Sequence, residues 1–235
     1  IMKKNQPMDD TYRNHVPART VITRSGAIVR GKFPSRKNNR MVRHEGLLER
    51  DAILLFEMNP CIVQFREQPF KIDYPFDAKI RKYTPDFELL LQNGEKVLVE
   101  IKHSDFLARS DINEKFECIQ QWFRYQNFPY LILTEKALRA EPRKSNLQRG
   151  YYSLTKHSRN IEHLTVILER LDYLGACSVK VFNKYVAPLG TNVFDFLVAG
   201  LITCDVDSEI TDDSIVNMNM EVGNEWFRIC KEYSF

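Results

Sequence analysis

The sequence predicts an α/β fold: a mixed sheet flanked by helices, followed by a smaller and mainly helical region. Three observations lead there. An apolar helix is expected near residues 45–58, strand-like segments near 61–74, 83–91 and 96–102, and an amphipathic helix just before the short apolar run 129–134. Read in order they give α-β-β-β-α-β, the pattern of one sheet layered with helices. At 235 residues the chain can hold one large domain or two modest ones.

In the first helix Arg50 and Glu57 take the polar side, while Glu49 falls between Ile53 and Phe56 on the apolar arc. Asp51 falls on that arc too, near Leu55 and Met58, so periodicity does not choose between the two acids. An acid is rarely placed on such a face without a partner. In the strand 96–102, side chains alternate, so Val97, Val99 and Ile101 form one face and Leu98, Glu100 and Lys102 the other. The second face is expected to be partly open. Gln92-Asn93-Gly94 reads as the turn of a hairpin whose first strand runs from Tyr83 to Leu91, which brings Asp86 near Glu100. Asp77-Ala78-Lys79 has the same acid-x-lysine form but lies between Tyr-Pro-Phe and a basic turn, and is set aside. Asp111, with Glu114 three residues on, reads as the N-cap of a helix to about Gln126, and Pro129 to Thr134 as a buried strand.

The polar stretch 139–149, with Pro142 and Gly150, is expected to contain a domain boundary. Beyond it Ile161, Leu164, Ile167, Leu168 and Leu171 recur at helical spacing, Gly175 marks a stop, and two more helices are expected near 178–186 and 192–199. Segments 201–206 and 214–220 are expected to pair as a wing, which gives a small winged-helix-like domain.

Glu49, Asp86, Glu100 and Lys102 carry the chemistry. Like charges about 4 Å apart repel by roughly 4 kcal/mol at an effective dielectric of 20, so three converging carboxylates protonate unless a cation joins them. Oxygen-only donors favour Mg²⁺ or Mn²⁺ over zinc, and the five histidines and five cysteines supply no competing ligand spacing. One or two such ions, with Lys102 orienting the nucleophile, suit phosphodiester hydrolysis. Taken alone, Glu100 and Lys102 also fit an exposed ion pair at a strand end.

The string formed by helix-borne Glu49, Val-Gln-Phe-Arg-Glu-Gln (63–68), Thr-Pro-Asp-Phe (84–87), Val-Glu-Ile-Lys (99–102) and Pro-Tyr-Leu-Ile-Leu-Thr (129–134) resembles TnsA. That family is the endonuclease subunit of heteromeric cut-and-paste transposases, within the restriction-endonuclease-like superfamily. The resemblance covers most of residues 15–140. It implies a restriction-endonuclease-like core and assigns the catalytic acids to Glu49 and Asp86, the lysine to Lys102 and a variable third position to Glu100. The metal ligands it implies are Glu49, Asp86, Glu100 and the Ile101 backbone carbonyl. The spacing from Glu49 to Arg-Glu-Gln favours Glu49 over Asp51. The implied activity is Mg²⁺-dependent cleavage at the 5′ side of transposon ends, with Mn²⁺ as a substitute ion and with TnsB and the ATPase TnsC as partners. The expected organisation is a basic N-terminal arm (1–44), a nuclease domain (45–145) and a winged-helix-like partner-binding domain (150–235).

Charge supports that division. Residues 1–150 carry a net +8 and residues 151–235 a net −5, and residues 11–44 hold nine Lys or Arg and no acid. Phosphates are the natural counterpart, so Arg24, Arg30, Lys32, Arg36, Lys37, Arg40 and Arg43 are the expected DNA contacts. In contrast Asp205, Asp207, Glu209, Asp212 and Asp213 crowd the proposed wing, which points to a protein partner. An odd cysteine count without Cys-x-x-Cys argues against a disulfide framework, and Cys61, Cys118 and Cys177 read as apolar fillers. No signal-peptide or membrane-span pattern is present, so a bacterial cytoplasm is expected, with no membrane contact. A stand-alone restriction or repair nuclease and a catalytically silent DNA-binding assembly factor are the competing readings.

Overall fold

The computed structural model describes residues 10–19, 29–218, 227, 229 and 235. Among them, those within Ile1–Ile53 and Ile62–Lys136 form one compact unit, and those within Leu54–Cys61 and Ala137–Phe235 form another. No helix of the described residues is long and apolar enough to cross a membrane.

In chain order come α1 (Asp10–Arg13), a hairpin of β1 (Gly31–Ser35) and β2 (Arg40–His44), then α2 (Leu47–Met58), whose residues to Ile53 belong to the first unit and from Leu54 to the second, and β3 (Ile62–Glu67). A second hairpin follows, β4 (Ile72–Phe76) and β5 (Lys79–Tyr83), then β6 (Phe87–Leu91), β7 (Lys96–Ile101), the short α3 (Ser104–Leu107), α4 (Ser110–Tyr125), β8 (Tyr130–Leu133) and α5 (Glu135–Leu138). The central sheet has the order β3-β6-β7-β8, antiparallel except for the parallel β7–β8 pair, as a mixed sheet requires. Leu98 of β7 packs with Phe116, Ile119 and Phe123 of α4, Tyr83 of β5 and Tyr130 of β8. The expected open face of β7 is therefore covered: every residue from Val97 to Ile101 is buried.

Four expectations about elements are corrected here. The stretch 1–44 is not an arm throughout, because residues 31–35 pair one for one with 40–44 as β1–β2. The segment 61–74 is two strands, broken at Gln68, which has φ +44°. Tyr83 ends β5 rather than starting β6, since Pro85 between them has no N–H to donate to a ladder. Asp111 is not a cap: Arg109 holds the N-cap position of α4 without a side-chain bond, and its guanidinium binds the Asp111 carboxylate at 3.1 Å. Asp77 and Ala78, both with positive φ, form the two-residue turn of β4–β5, which removes Asp77-Ala78-Lys79 from any site.

In the second unit come α6 (Arg143–Ser153), α7 (Ile161–Glu169), β9 (Cys177–Ser178), α8 (Val179–Val186), α9 (Val193–Val198), β10 (Thr203–Cys204) and β11 (Ile215–Asn217). The strands form a small antiparallel sheet in the order β10-β11-β9. Asn192 caps α9 in a reciprocal box with Asp195. The polar stretch expected to be a boundary is largely α6. Its Asn146 amide donates to the Val206 and Ser208 carbonyls at 3.0 and 2.7 Å and accepts from Ile210 N–H at 3.1 Å, which pins the acidic loop. Gly150 is a packing residue, because a Cβ there would lie 2.7 Å from the Phe194 ring.

Candidate active site

Asp86 follows Pro85 at the entry to β6, and the β6–β7 register sets Phe87 opposite Val99. One step further along, the Ile101 N–H at the end of β7 donates to Asp86 Oδ2 at 2.8 Å. Burial pushes the Asp86 carboxyl up to about 6, against the lowering influence of that N–H and of the Lys102 ammonium. The hairpin therefore joins Asp86 to the Glu100–Lys102 segment as its turn predicted.

Glu49 stands in the first turn of α2, where Oε2 accepts from the Glu45 N–H at 2.6 Å. Burial, then repulsion by Asp86, pushes it up to about 8. Glu49 and Asp86 line one cavity of about 300 Å³, together with Pro17, Arg19, Arg30, Lys32, Arg43 and Gln68 among others. Asp51 does not line it; this acid is buried, 3.0 Å from Arg50.

Glu100 is placed differently. It is buried on β7, and Tyr83 Oη donates to its Oε2 at 2.6 Å while lying 2.9 Å from Tyr130 Oη. Burial and the Asp86 charge hold its carboxyl well above the usual range. The Asp86 charge thus reaches both other acids, but of the two Glu49 alone lines its cavity. Among the described residues no three Asp, Glu, His or Cys side chains form a metal-ligand group as they stand. The Lys102 ammonium lies 5.7 and 5.8 Å from the ring centroids of Phe106 and Phe116. Its charge lowers the pKa of both Asp86 and Glu100.

The basic residues divide. Arg30, Lys32 and Arg43 line the cavity with the two acids. Lys37 is buried and donates to the Ile62 carbonyl at 2.6 Å, and Arg40 binds Glu67 through two nitrogens at 3.0 and 2.6 Å. Those two are corrected from DNA contacts to internal supports. Arg36 sits half-buried at the β1–β2 turn, where its carbonyl accepts from Asn39 N–H. Arg24 lies outside the described residues.

Sequence reasoning missed Arg19, Glu45, Gln68 and Lys115. Arg19 binds Glu45 at 2.7 Å, and the Gln68 amide donates to Glu45 at 2.9 Å. Lys115 of α4 lies over the Tyr83 and Phe116 rings at 5.9 and 5.1 Å, and its charge reaches Glu100. Gln68 was visible in Arg-Glu-Gln, but nothing in the string gave it a direction.

Residues 59–135 match the family model of the TnsA-like endonuclease N-terminal domain. Asp86, Glu100 and Lys102 fall inside the matched range and Glu49 ten residues before it. A comparison with curated proteins returned no match.

Proposed function

From the premise that residues 59–135 are a TnsA-like endonuclease domain, we propose that the chain is the Mg²⁺-dependent DNA endonuclease subunit of a transposase. It hydrolyses the phosphodiester at the 5′ side of transposon ends, in the cytoplasm, together with TnsB and TnsC. The observation that carries this reading is one cavity shared by Glu49, Asp86, Arg30, Lys32 and Arg43. Acids that hold protons mainly through burial suit a cation, and the arginines and lysine lining the same cavity suit DNA phosphates.

The donor chemistry fits magnesium. Glu49 and Asp86 each have one oxygen oriented by a backbone N–H, and Mg²⁺ is commonly held by one or two carboxylates with water in its remaining positions. The Ile101 carbonyl and Glu100 are the further ligands proposed, with Mn²⁺ as a substitute ion. When bound, such an ion supplies Lewis acidity and a water of lowered pKa. The chain's own residues do the rest. Arg30, Lys32 and Arg43 draw the backbone phosphates in, Lys102 offsets charge developing on the phosphoryl oxygens, and Tyr83 holds Glu100 in place.

For the second unit we propose a winged-helix-like fold that binds protein. The order α7-β9-α8-α9-β10-β11 and the sheet β10-β11-β9 support it. Asp205, Asp207, Glu209, Asp212 and Asp213 favour a protein partner over a phosphate backbone.

The test is cleavage of end-labelled transposon-end DNA, strand by strand, with and without TnsB and TnsC. Cleavage at the 5′ side that needs the partners and disappears in Asp86→Asn is expected. Cutting by the isolated chain favours a stand-alone nuclease. Cleavage that survives Asp86→Asn leaves an assembly factor as the better reading.

A further inference from the structure

Gln68 sits immediately after β3, buried, with φ +44°, a backbone conformation that a glutamine rarely adopts. Its backbone N–H, its backbone carbonyl and its side-chain NH2 group are all engaged. Its N–H donates to the Asp86 carbonyl at 2.7 Å, and its carbonyl accepts from the Ala18 N–H at 2.9 Å. The side-chain amide donates to Glu45 Oε1 at 2.9 Å. Glu45 in turn receives Arg19 at 2.7 Å on its other oxygen, and its own N–H holds Glu49 Oε2 at 2.6 Å. One residue thereby joins three separate segments: the one bearing Asp86, the one bearing Arg19, and the turn that starts α2 and carries Glu49.

We propose that Gln68 is a positioning residue that fixes Glu49 and Asp86 relative to each other for a divalent cation, an inference that rests on the nuclease reading above. A residue serving only to reverse the chain would favour glycine at this φ, since glycine has no Cβ to strain. What glutamine adds is an amide that reaches Glu45 while the backbone stays committed to Asp86. Supporting contacts of this kind commonly change metal affinity or activity by about ten- to a hundred-fold when removed.

The test measures Mn²⁺ binding to the full chain by electron paramagnetic resonance, melting temperature with and without Mn²⁺, and kcat and KM for DNA cleavage with the partner proteins. Gln68→Gly keeps the backbone conformation and deletes the amide. Gln68→Glu keeps the volume and sets a carboxylate against Glu45. Both are expected to weaken Mn²⁺ binding by about ten-fold or more and to lower kcat, with KM for DNA unchanged. The metal-free melting temperature of Gln68→Gly is expected to stay near that of the wild type. Wild-type Mn²⁺ affinity in either variant overturns the proposal while leaving the nuclease reading standing. A wild-type chain that neither binds Mn²⁺ nor cleaves overturns that reading, and this inference with it.

Discussion

Glu49 and Asp86 occupy the same cavity with carboxyls pushed up to about 8 and about 6. Both values exceed those of the unfolded chain, so the folded state holds the protons more tightly. The stability this confers is complete below the ordinary carboxylate range and is lost as pH rises through those two values. The metal-free protein is therefore expected to melt at progressively lower temperature from about pH 5 to about pH 9, and Glu49→Gln to flatten that decline. Magnesium binding needs the deprotonated acids, so its stabilising effect should grow over the same interval and be absent from Glu49→Gln and Asp86→Asn. Melting curves with and without Mg²⁺ across that range check both points, and an unchanged Mg²⁺ response in the two variants would count against the site.

The basic side chains separate by a second measurement. Arg40 and Glu67 form a pair whose side chains are only 13% and 5% exposed. Arg40→Ala removes the guanidinium from this buried glutamate, which keeps the Arg43 N–H at 3.1 Å, and is expected to cost about 3 kcal/mol of stability, read by urea unfolding. Arg43→Ala should leave stability nearly unchanged but reduce the salt dependence of DNA binding by about one unit of slope. The seven basic residues looked alike in sequence because charge type was the only signal. Tertiary placement, which sequence does not list, makes Lys37 and Arg40 supports and sets Arg30, Lys32 and Arg43 along the cavity.

At the scale of elements, the two-residue turn Asp77-Ala78 places a β-carbon at positive φ twice. Ala78→Gly relieves one of these and is expected to stabilise the protein by up to about 1 kcal/mol, visible as a raised melting temperature. The helices near 45–58, 111–126, 178–186 and 192–199 and the strands at 96–101 and 130–133 were legible because each has a long periodic pattern or a marked end. The hairpin β1–β2 was not legible. Its strands, Gly-Lys-Phe-Pro-Ser and Arg-Met-Val-Arg-His, carry no run of alternating apolar side chains, and a proline sits in the first. Asp111 failed as a cap for a related reason, since a local rule gave way to a nearby guanidinium.

Across the whole molecule, the charge division read from composition runs alongside the placement of side chains. Arg19, Arg30, Lys32 and Arg43 of the first unit line one cavity with Glu45, Glu49, Glu67 and Asp86, and the acidic loop of the second is held by Asn146 and by Arg143, which binds Asp207 at 2.6 Å. The sequence by itself marked the helices and strands with a clear period and offered Glu49, Asp86, Glu100 and Lys102 as candidates, because periodicity and residue type are local properties. Tertiary structure alone decided which acids share a cavity, that Tyr83 engages Glu100, and that Gln68 ties Asp86 to the start of α2. Those outcomes depend on hydrogen bonds between residues far apart in the chain, and no spacing rule reaches across such distances.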